Sequence, residues 1–324
     1  MLASELPAWI VRVFAFVFGA TWGSFFNVAI YRWPREMSVV TPRSHCPACA
    51  APIPGWRNVP ILGYLLLRGK AACCGAKMSP RYLFVEVLSG VLAIAIAERF
   101  IVSAEGATSL GAAGLETALW FAFAGGLVIA TFVDLEWMEI PDEVSIGGTA
   151  LALATAMFRP SVPLEEVVLG AGAGYLVVHL LLVWSWERIT GDRGMGEGDA
   201  KLAMFIGAFL GWRGALFALV AGSFQGIIGY VIARASGSRI GPSQDHPHDE
   251  DVAKTVPEAA PPVGTDAEPD AGTDAAPPVG TDAEPGDEPR ASRKIPFGPF
   301  LALGAIEFLF FGNAIVDWYL SLFE

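Results

Sequence analysis

Long apolar runs separated by short polar stretches occupy the chain from residue 8 to residue 233, and the pattern returns at residue 297. A bilayer-spanning helix needs about 20 mostly apolar residues. That length predicts spans near 8–30, 82–102, 111–133, 144–158, 165–186, 202–210, 214–233 and 297–323. The fourth is short and the sixth very short, so tilted or partly re-entrant segments are expected there. The pattern predicts an all-α polytopic membrane protein with about eight transmembrane helices and a small cysteine-containing loop domain after the first. The first run is expected to stay in the membrane. Arg12 lies inside it, no basic region precedes it, and no small-residue cleavage site follows it.

The polar exceptions to this pattern are unevenly charged. The chain is 53% hydrophobic and 17% charged, with a formal net charge of -12. An acidic total argues against nucleic acid, which needs stripes of Lys and Arg to displace counterions. Yet thirteen of the 33 acids lie between Asp245 and Glu288, against one base, Lys254. Without that stretch the remaining acids and bases balance. The stretch repeats Pro-Pro-Val-Gly-Thr-Asp-Ala-Glu-Pro at 261–269 and 277–285, a composition too poor in apolar surface to offset the entropy of ordering. Residues 236–293 are therefore expected to form a disordered acidic insert, a solvated spacer between an 82–235 transmembrane core and a last helix at 294–324.

The bases set the orientation. The loop at 31–81 holds Arg32, Arg35, Arg43, Arg57, Arg68, Lys70, Lys77 and Arg81 against the single acid Glu36, and basic loops stay in the cytosol. With eight alternating spans, the other cytosolic segments include those that begin at Asp134, Glu187 and Arg234. This places the basic loop and the acidic insert on the cytosolic side.

All four cysteines fall in the basic loop, as Cys46-Pro-Ala-Cys49 and Cys73-Cys74. Two thiol pairs close a tetrahedral zinc site, and a cytosolic location favours metal over disulfides. Cys74 lacks the partner expected at position 71, which is Ala71, so Cys73 or His45 is required to substitute. A zinc site and a loop of free thiols both remain open readings.

Two carboxylates stand at the edges of spans, where charge is costly and marks function. Asp134 closes the third span, and Asp199 opens the sixth behind Gly194, Gly196 and Gly198. The topology puts both at cytosolic helix ends. Such a pair shares a proton, so that one member accepts a proton from water while the other donates to a carbonyl. The glycines are expected to allow tight, positive-φ backbone beside Asp199. Alternatively, both aspartates merely cap helices. Asp142, after Pro141, is the rival for the first aspartate of the pair, and it also reads as a helix start. Glu136, Glu139, Glu143 and Glu197 read either as solvated loop acids or as a rim attracting basic substrate, and Trp137, Leu202 and Phe205 as apolar walls. A transport or proton-relay protein is the competing class.

At these residues the chain resembles the type 4 prepilin peptidase family. The matching segments are Gly23 to Pro34, Cys46-Pro-Ala-Cys49, Ser79 to Glu86, Asp134 to Asp142, Gly196-Glu-Gly198-Asp199-Ala-Lys201-Leu202 and Ile295 to Gly304. The resemblance implies a membrane aspartic endopeptidase with Asp134 and Asp199 as catalytic residues. It implies removal of a short basic leader from prepilin or type II secretion pseudopilin precursors, in the bacterial inner membrane with the active site on the cytosolic side. It further implies N-methylation of the new N-terminus from S-adenosylmethionine, although no residue here is assigned to the methyl donor. It also implies zinc at the cysteine loop: Cys46, Cys49 and Cys74 match the family pattern, Ala71 departs from it, and Cys73 has no counterpart there, so that its place beside them as a candidate ligand rests on the residues alone.

Overall fold

A computed structural model describes residues 5–104, 108–191, 196–236 and 296–321. Apart from Ser236, the acidic 236–293 insert lies outside the described residues, as does Gly194. Among the described residues there is no β-strand; isolated bridges join His45 to Pro52 and Lys70 to Lys77.

The first apolar run folds as α1 (Ala8–Arg32). The basic loop follows, with one short helix, α2 (Leu62–Leu66). Helix α3 (Pro80–Ala97) starts where Pro80 fits the first turn and the Ser79 hydroxyl accepts the Arg81 N–H. Next come α4 (Leu110–Trp137), α5 (Asp142–Ala154) and α6 (Leu164–Leu176). Helix α6 continues through a π-helical stretch, Val177–Trp184, into α7 (Ser185–Thr190). The long α8 (Glu197–Ala235) and α9 (Gly298–Ser321) complete the described residues.

Among the described residues, three helices are long and apolar enough to cross a membrane: Ala8–Arg35, Leu110–Trp137 and Glu197–Ala235. The expected spans at 202–210 and 214–233 lie on either side of Gly211, whose non-helical φ of 73° and ψ of 178° break α8 into two half-helices. The expected 165–186 span is instead shared among α6, the π stretch and α7.

Two groups of helices meet around α4. Helices α1, α3 and α4 pack together, α6 and α9 pack on α8, and α5 fills the side between α4 and α8. Side chains are nearly absent where α6 crosses α8. A Cβ at Gly207 would collide with the carbonyl of Gly170, and one at Gly174 with the carbonyl of Ala203. Backbone contact of this kind is how membrane helices associate without a hydrophobic driving force.

The break at Gly211 is held by a buried cation. Arg159, with no exposed surface, donates to the carbonyls of Ala152 at 2.8 Å, Phe209 at 3.2 Å and Ala208 at 3.3 Å, and lies 4.5 Å over the Phe209 ring. The break leaves the last carbonyls of the first half-helix without their usual partners, and a guanidinium fits such an end in both charge and geometry.

Candidate functional site

Helix α4 brings Asp134 to its C-terminal end. Met138 adopts the left-handed conformation (φ 56°) that stops the helix, and its N–H caps the Asp134 carbonyl at 2.9 Å. The Asp134 side chain is buried, and its Oδ2 accepts the backbone N–H of Gly298 at 2.8 Å. Asp199 sits in the first turn of α8, half-buried, and reaches back to accept the Gly196 N–H at 3.3 Å. It thus caps its helix, one of the two roles expected from sequence.

The register of α4 against α8 fixes the relative depth of the two carboxylates. The rings of Phe123 and Phe209 stack at 4.7 Å, and that of Phe123 lies 5.2 Å from Phe205. Phe123 precedes Asp134 by eleven residues, and Phe209 follows Asp199 by ten. At a rise of about 1.5 Å per residue, antiparallel helices in this register bring the two aspartates within about one residue of the same level. They are near enough for the charge of Asp134 to act on Asp199.

The glycines beside Asp199 serve this approach differently from the expectation. Gly196 is extended (φ -78°, ψ 149°), and neither it nor Gly198 has positive φ. Gly198 instead lies against Ile140, which a Cβ would touch at 3.3 Å. Close approach is what the missing side chain allows.

A cavity of about 280 Å³ opens beside the pair, lined by Val133 and Gly198, the chain neighbours of the aspartates, with Glu139, Asp142, Glu143 and Lys201 among its other walls. Asp142 begins α5 as expected but makes no capping hydrogen bond; it pairs with Lys201 at 2.7 Å. Of the four rim acids considered, Glu139 and Glu143 line this cavity, Glu136 pairs with Arg81, and Glu197 is exposed. Leu202 and Phe205 are buried core residues and do not line it. Phe205 fills the space left by Gly126 and Gly148. Trp33, Pro34 and Ile140 provide the apolar walls instead.

In the basic loop, the sulfurs of Cys46, Cys49, Cys73 and Cys74 lie within 4.8 Å of one another. Tetrahedral zinc with bonds of roughly 2.3 Å separates thiolates by about 3.8 Å. The distances Cys46 to Cys74 (3.8 Å), Cys49 to Cys73 (3.3 Å) and Cys73 to Cys74 (3.9 Å) bracket that value. Two alike turns build the cluster. The Cys46 N–H donates to Ala51 and the Ala50 N–H to Cys46; the Ala71 N–H donates to Ala76 and the Gly75 N–H to Ala71. Ala71 therefore occupies in the second turn the place of Cys46 in the first, and Cys73 supplies the fourth sulfur. Burial raises the Cys46 thiol, but backbone N–H groups of Ala48 and Cys49 and neighbouring thiols outweigh it and bring it to about 7. Cys73, hydrogen-bonded to Cys49 and Cys46, is pushed up to about 12. His45 is not part of the cluster.

Two features had no role in the sequence reading. Gly298 appeared only inside a matching segment, and a backbone N–H leaves no mark on composition. Glu86, also within such a segment, is buried and accepts the Ile61 N–H at 2.6 Å.

Two family models match this chain. Residues 17–100 match the bacterial peptidase A24 N-terminal domain, and residues 121–231 match the type IV leader peptidase family. The chain is 31% identical over 350 residues to the prepilin leader peptidase/N-methyltransferase of Aeromonas hydrophila, covering 99% of this chain and 98% of that one. It is 33% identical over 261 residues to the protein of the same name from Myxococcus xanthus, covering 79% and 74%, and 34% identical over 249 residues to that of Neisseria gonorrhoeae, covering 69% and 83%. No solved structure matches it. The chain is a helical member of the peptidase A24 class. It belongs to the type IV leader peptidase family.

Proposed function

We propose that the protein is a membrane-embedded aspartic endopeptidase that removes the leader from prepilin or pseudopilin precursors and then N-methylates the exposed residue. What supports the peptidase reading is the register that sets Asp134 and Asp199 at about one level on antiparallel helices. A water between the carboxylates is deprotonated by one as it adds to the scissile carbonyl, which the other protonates; the resulting gem-diol then collapses with cleavage of the C–N bond, the first carboxyl giving its proton to the leaving amine and the second taking its proton back. The Gly298 N–H holds the Asp134 carboxylate in orientation. The substrate's apolar helix lies among the spans, and its basic leader passes the cavity bearing Glu139, Asp142 and Glu143.

In this reading the chain crosses the bacterial inner membrane about eight times, with the basic loop and the active site in the cytosol. Zinc bound by Cys46, Cys49, Cys73 and Cys74 ties the two turns of the loop together. Methyl transfer draws its support from the relatives' names, and S-adenosylmethionine supplies an electrophilic methyl group when bound. A transport or proton-relay protein, the other reading of the same carboxylates, gains nothing from leader-peptidase relatives.

The test is cleavage of a leader-bearing pilin peptide by detergent-solubilised protein, followed by mass spectrometry. Asp134→Asn and Asp199→Asn are each expected to abolish cleavage while leaving membrane insertion intact. Normal processing by both variants refutes the mechanism.

A further inference from the structure

The basic loop carries an exposed apolar face. Leu62, Leu65 and Leu66 have the spacing of neighbours on one side of α2, and they are 56%, 55% and 80% exposed. Gly63 and Tyr64 of the same helix, with Leu67 at its end, instead line a cavity of about 560 Å³ between α1, the loop and α3. Three leucines held together in water are unfavourable, and such a patch marks an interaction surface.

The depth of α2 shows what covers it. Helices α1 and α3 touch backbone to backbone, so that a Cβ at Gly23 would stand 2.8 Å from the Cα of Glu86. Glu86 therefore lies level with Gly23, nine residues before the Arg32 end of α1. At a rise of about 1.5 Å per residue, that level is about 14 Å below the helix end. The 25 residues of α1 span about 37 Å, which exceeds a hydrocarbon core of about 30 Å by about 7 Å. Even with all of that excess on the Arg32 side, Glu86 stands at the level of the hydrocarbon.

Glu86 pins the loop there. Its carboxylate accepts the N–H of Ile61 at 2.6 Å, immediately before α2. Ile61 adopts φ 63° and ψ -55°, a conformation that a β-branched residue keeps only where its surroundings enforce it. The loop has thus folded back along the two helices. Five residues of helix rise about 8 Å, too little to return the leucines to the level of Arg32. Trp22 and Phe25 on α1, and Phe84 and Val87 on α3, are exposed at this same level, as lipid-facing side chains are.

Charge agrees with depth. Arg57 precedes α2, Arg68 and Lys70 follow it, all three are exposed, and no acid lies between residues 57 and 70. Long basic side chains reach from apolar surroundings to headgroups, and the cytosolic leaflet is anionic. We propose that α2 is an interfacial helix docked in the cytosolic leaflet. Leu62, Leu65 and Leu66 lie among the acyl chains, and Arg57, Arg68 and Lys70 meet the headgroups of anionic phospholipids. The bilayer then supports from outside the wall that α2 contributes to the cavity. This assignment needs α1 to span the membrane and is independent of the peptidase chemistry.

The experiment uses purified full-length protein in nanodiscs of equal phosphatidylglycerol and phosphatidylcholine. The photoreactive residue p-benzoylphenylalanine replaces Leu66 in one protein and Val40 in another. Val40 is 79% exposed and lies between Ser38 and Pro42, whose carbonyls accept from Arg32 at 2.7 and 2.8 Å, so it stands near the end of α1. After irradiation, mass spectrometry of proteolytic peptides is expected to find phospholipid attached at position 66, at least about fivefold more than at position 40. Phosphatidylglycerol should exceed phosphatidylcholine in that product by roughly threefold, and Arg68→Gln with Lys70→Gln should bring the two toward equality. Lipid attachment at position 66 no greater than at position 40 overturns the docking. Attachment to protein instead, whether a second copy or the acidic 245–288 segment, overturns it as well. Equal yields of the two lipids without the charge substitutions overturn the anionic headgroup contact. Should the substituted proteins not fold, wild-type protein in nanodiscs of lipids bearing a diazirine high on the acyl chain gives a second reading. Label on a peptide containing residues 62–66 supports the docking, and label confined to the long helices overturns it.

Discussion

Gly298→Ala is the most direct probe of how the carboxylate pair is held. A methyl group at position 298 would stand 2.6 Å from Oδ2 of Asp134 and 3.2 Å from its carboxyl carbon, well inside contact distance. The carboxylate has to move, and the 2.8 Å hydrogen bond from the Gly298 N–H is lost. A hydrogen bond to a charged group contributes roughly 1.5–3 kcal/mol. If that support acts in the transition state, its loss slows the chemical step by roughly 10- to 150-fold, at about tenfold per 1.4 kcal/mol. A displacement of about 1 Å at a reacting group has a cost of similar size. Gly298 is the first residue of α9, where alanine is compatible with a helix, so the fold should tolerate the change. Initial rates on a saturating leader-bearing peptide, measured beside a melting curve, give the answer. A folded Gly298→Ala protein that cleaves at the wild-type rate refutes the role of this N–H, and with it the placement of Asp134 at the reacting centre.

Three further outcomes are expected. Arg159→Met removes the donors serving two carbonyls at the Gly211 break, those of Ala208 and Phe209, and the Ala152 carbonyl of α5; at roughly 1–3 kcal/mol per buried acceptor left unpaired, the melting temperature in detergent should fall clearly, and an unchanged one contradicts the capping role. Freshly purified protein should contain about one zinc per chain by elemental analysis, close to four thiolates to one metal, and Cys73→Ala should reduce that content; zinc-free wild-type protein removes the metal. Neutralising both Glu139 and Glu143, in the cavity beside the aspartates, should raise KM for a basic-leader peptide at low salt with kcat little changed, and the difference should shrink as salt is added; a salt-independent effect counts against charge attraction.

The two aspartates were legible in sequence because a charge at the edge of an apolar run is conspicuous against its background. What surrounds them was not. Gly298 contributes a main-chain N–H from 164 positions away, and nothing in residue type or spacing signals that. The role of Phe205 was misread because hydropathy cannot tell a lining side chain from a core one; only the gap left by Gly126 and Gly148 decides it. The cysteine loop was half legible. The first Cys-x-x-Cys announced itself, whereas the second turn shows its likeness to the first only through backbone hydrogen bonds that place Ala71 opposite Cys46. Hydropathy windows placed the division between 202–210 and 214–233 where the non-helical Gly211 falls, but could not show that 165–186 is shared among α6, a π-helical stretch and α7, because mean hydropathy does not register how a backbone is hydrogen-bonded.

The Gly298 contact also has a consequence for the order in which the molecule is made. Asp134 and Asp199 both leave the ribosome before the 237–295 segment, yet the donor that orients Asp134 lies beyond it. A nascent chain halted at residue 290 carries both carboxylates and lacks Gly298, whose N–H meets one of them. The Asp134–Gly298 hydrogen bond can therefore form only after the whole 237–295 segment has been made.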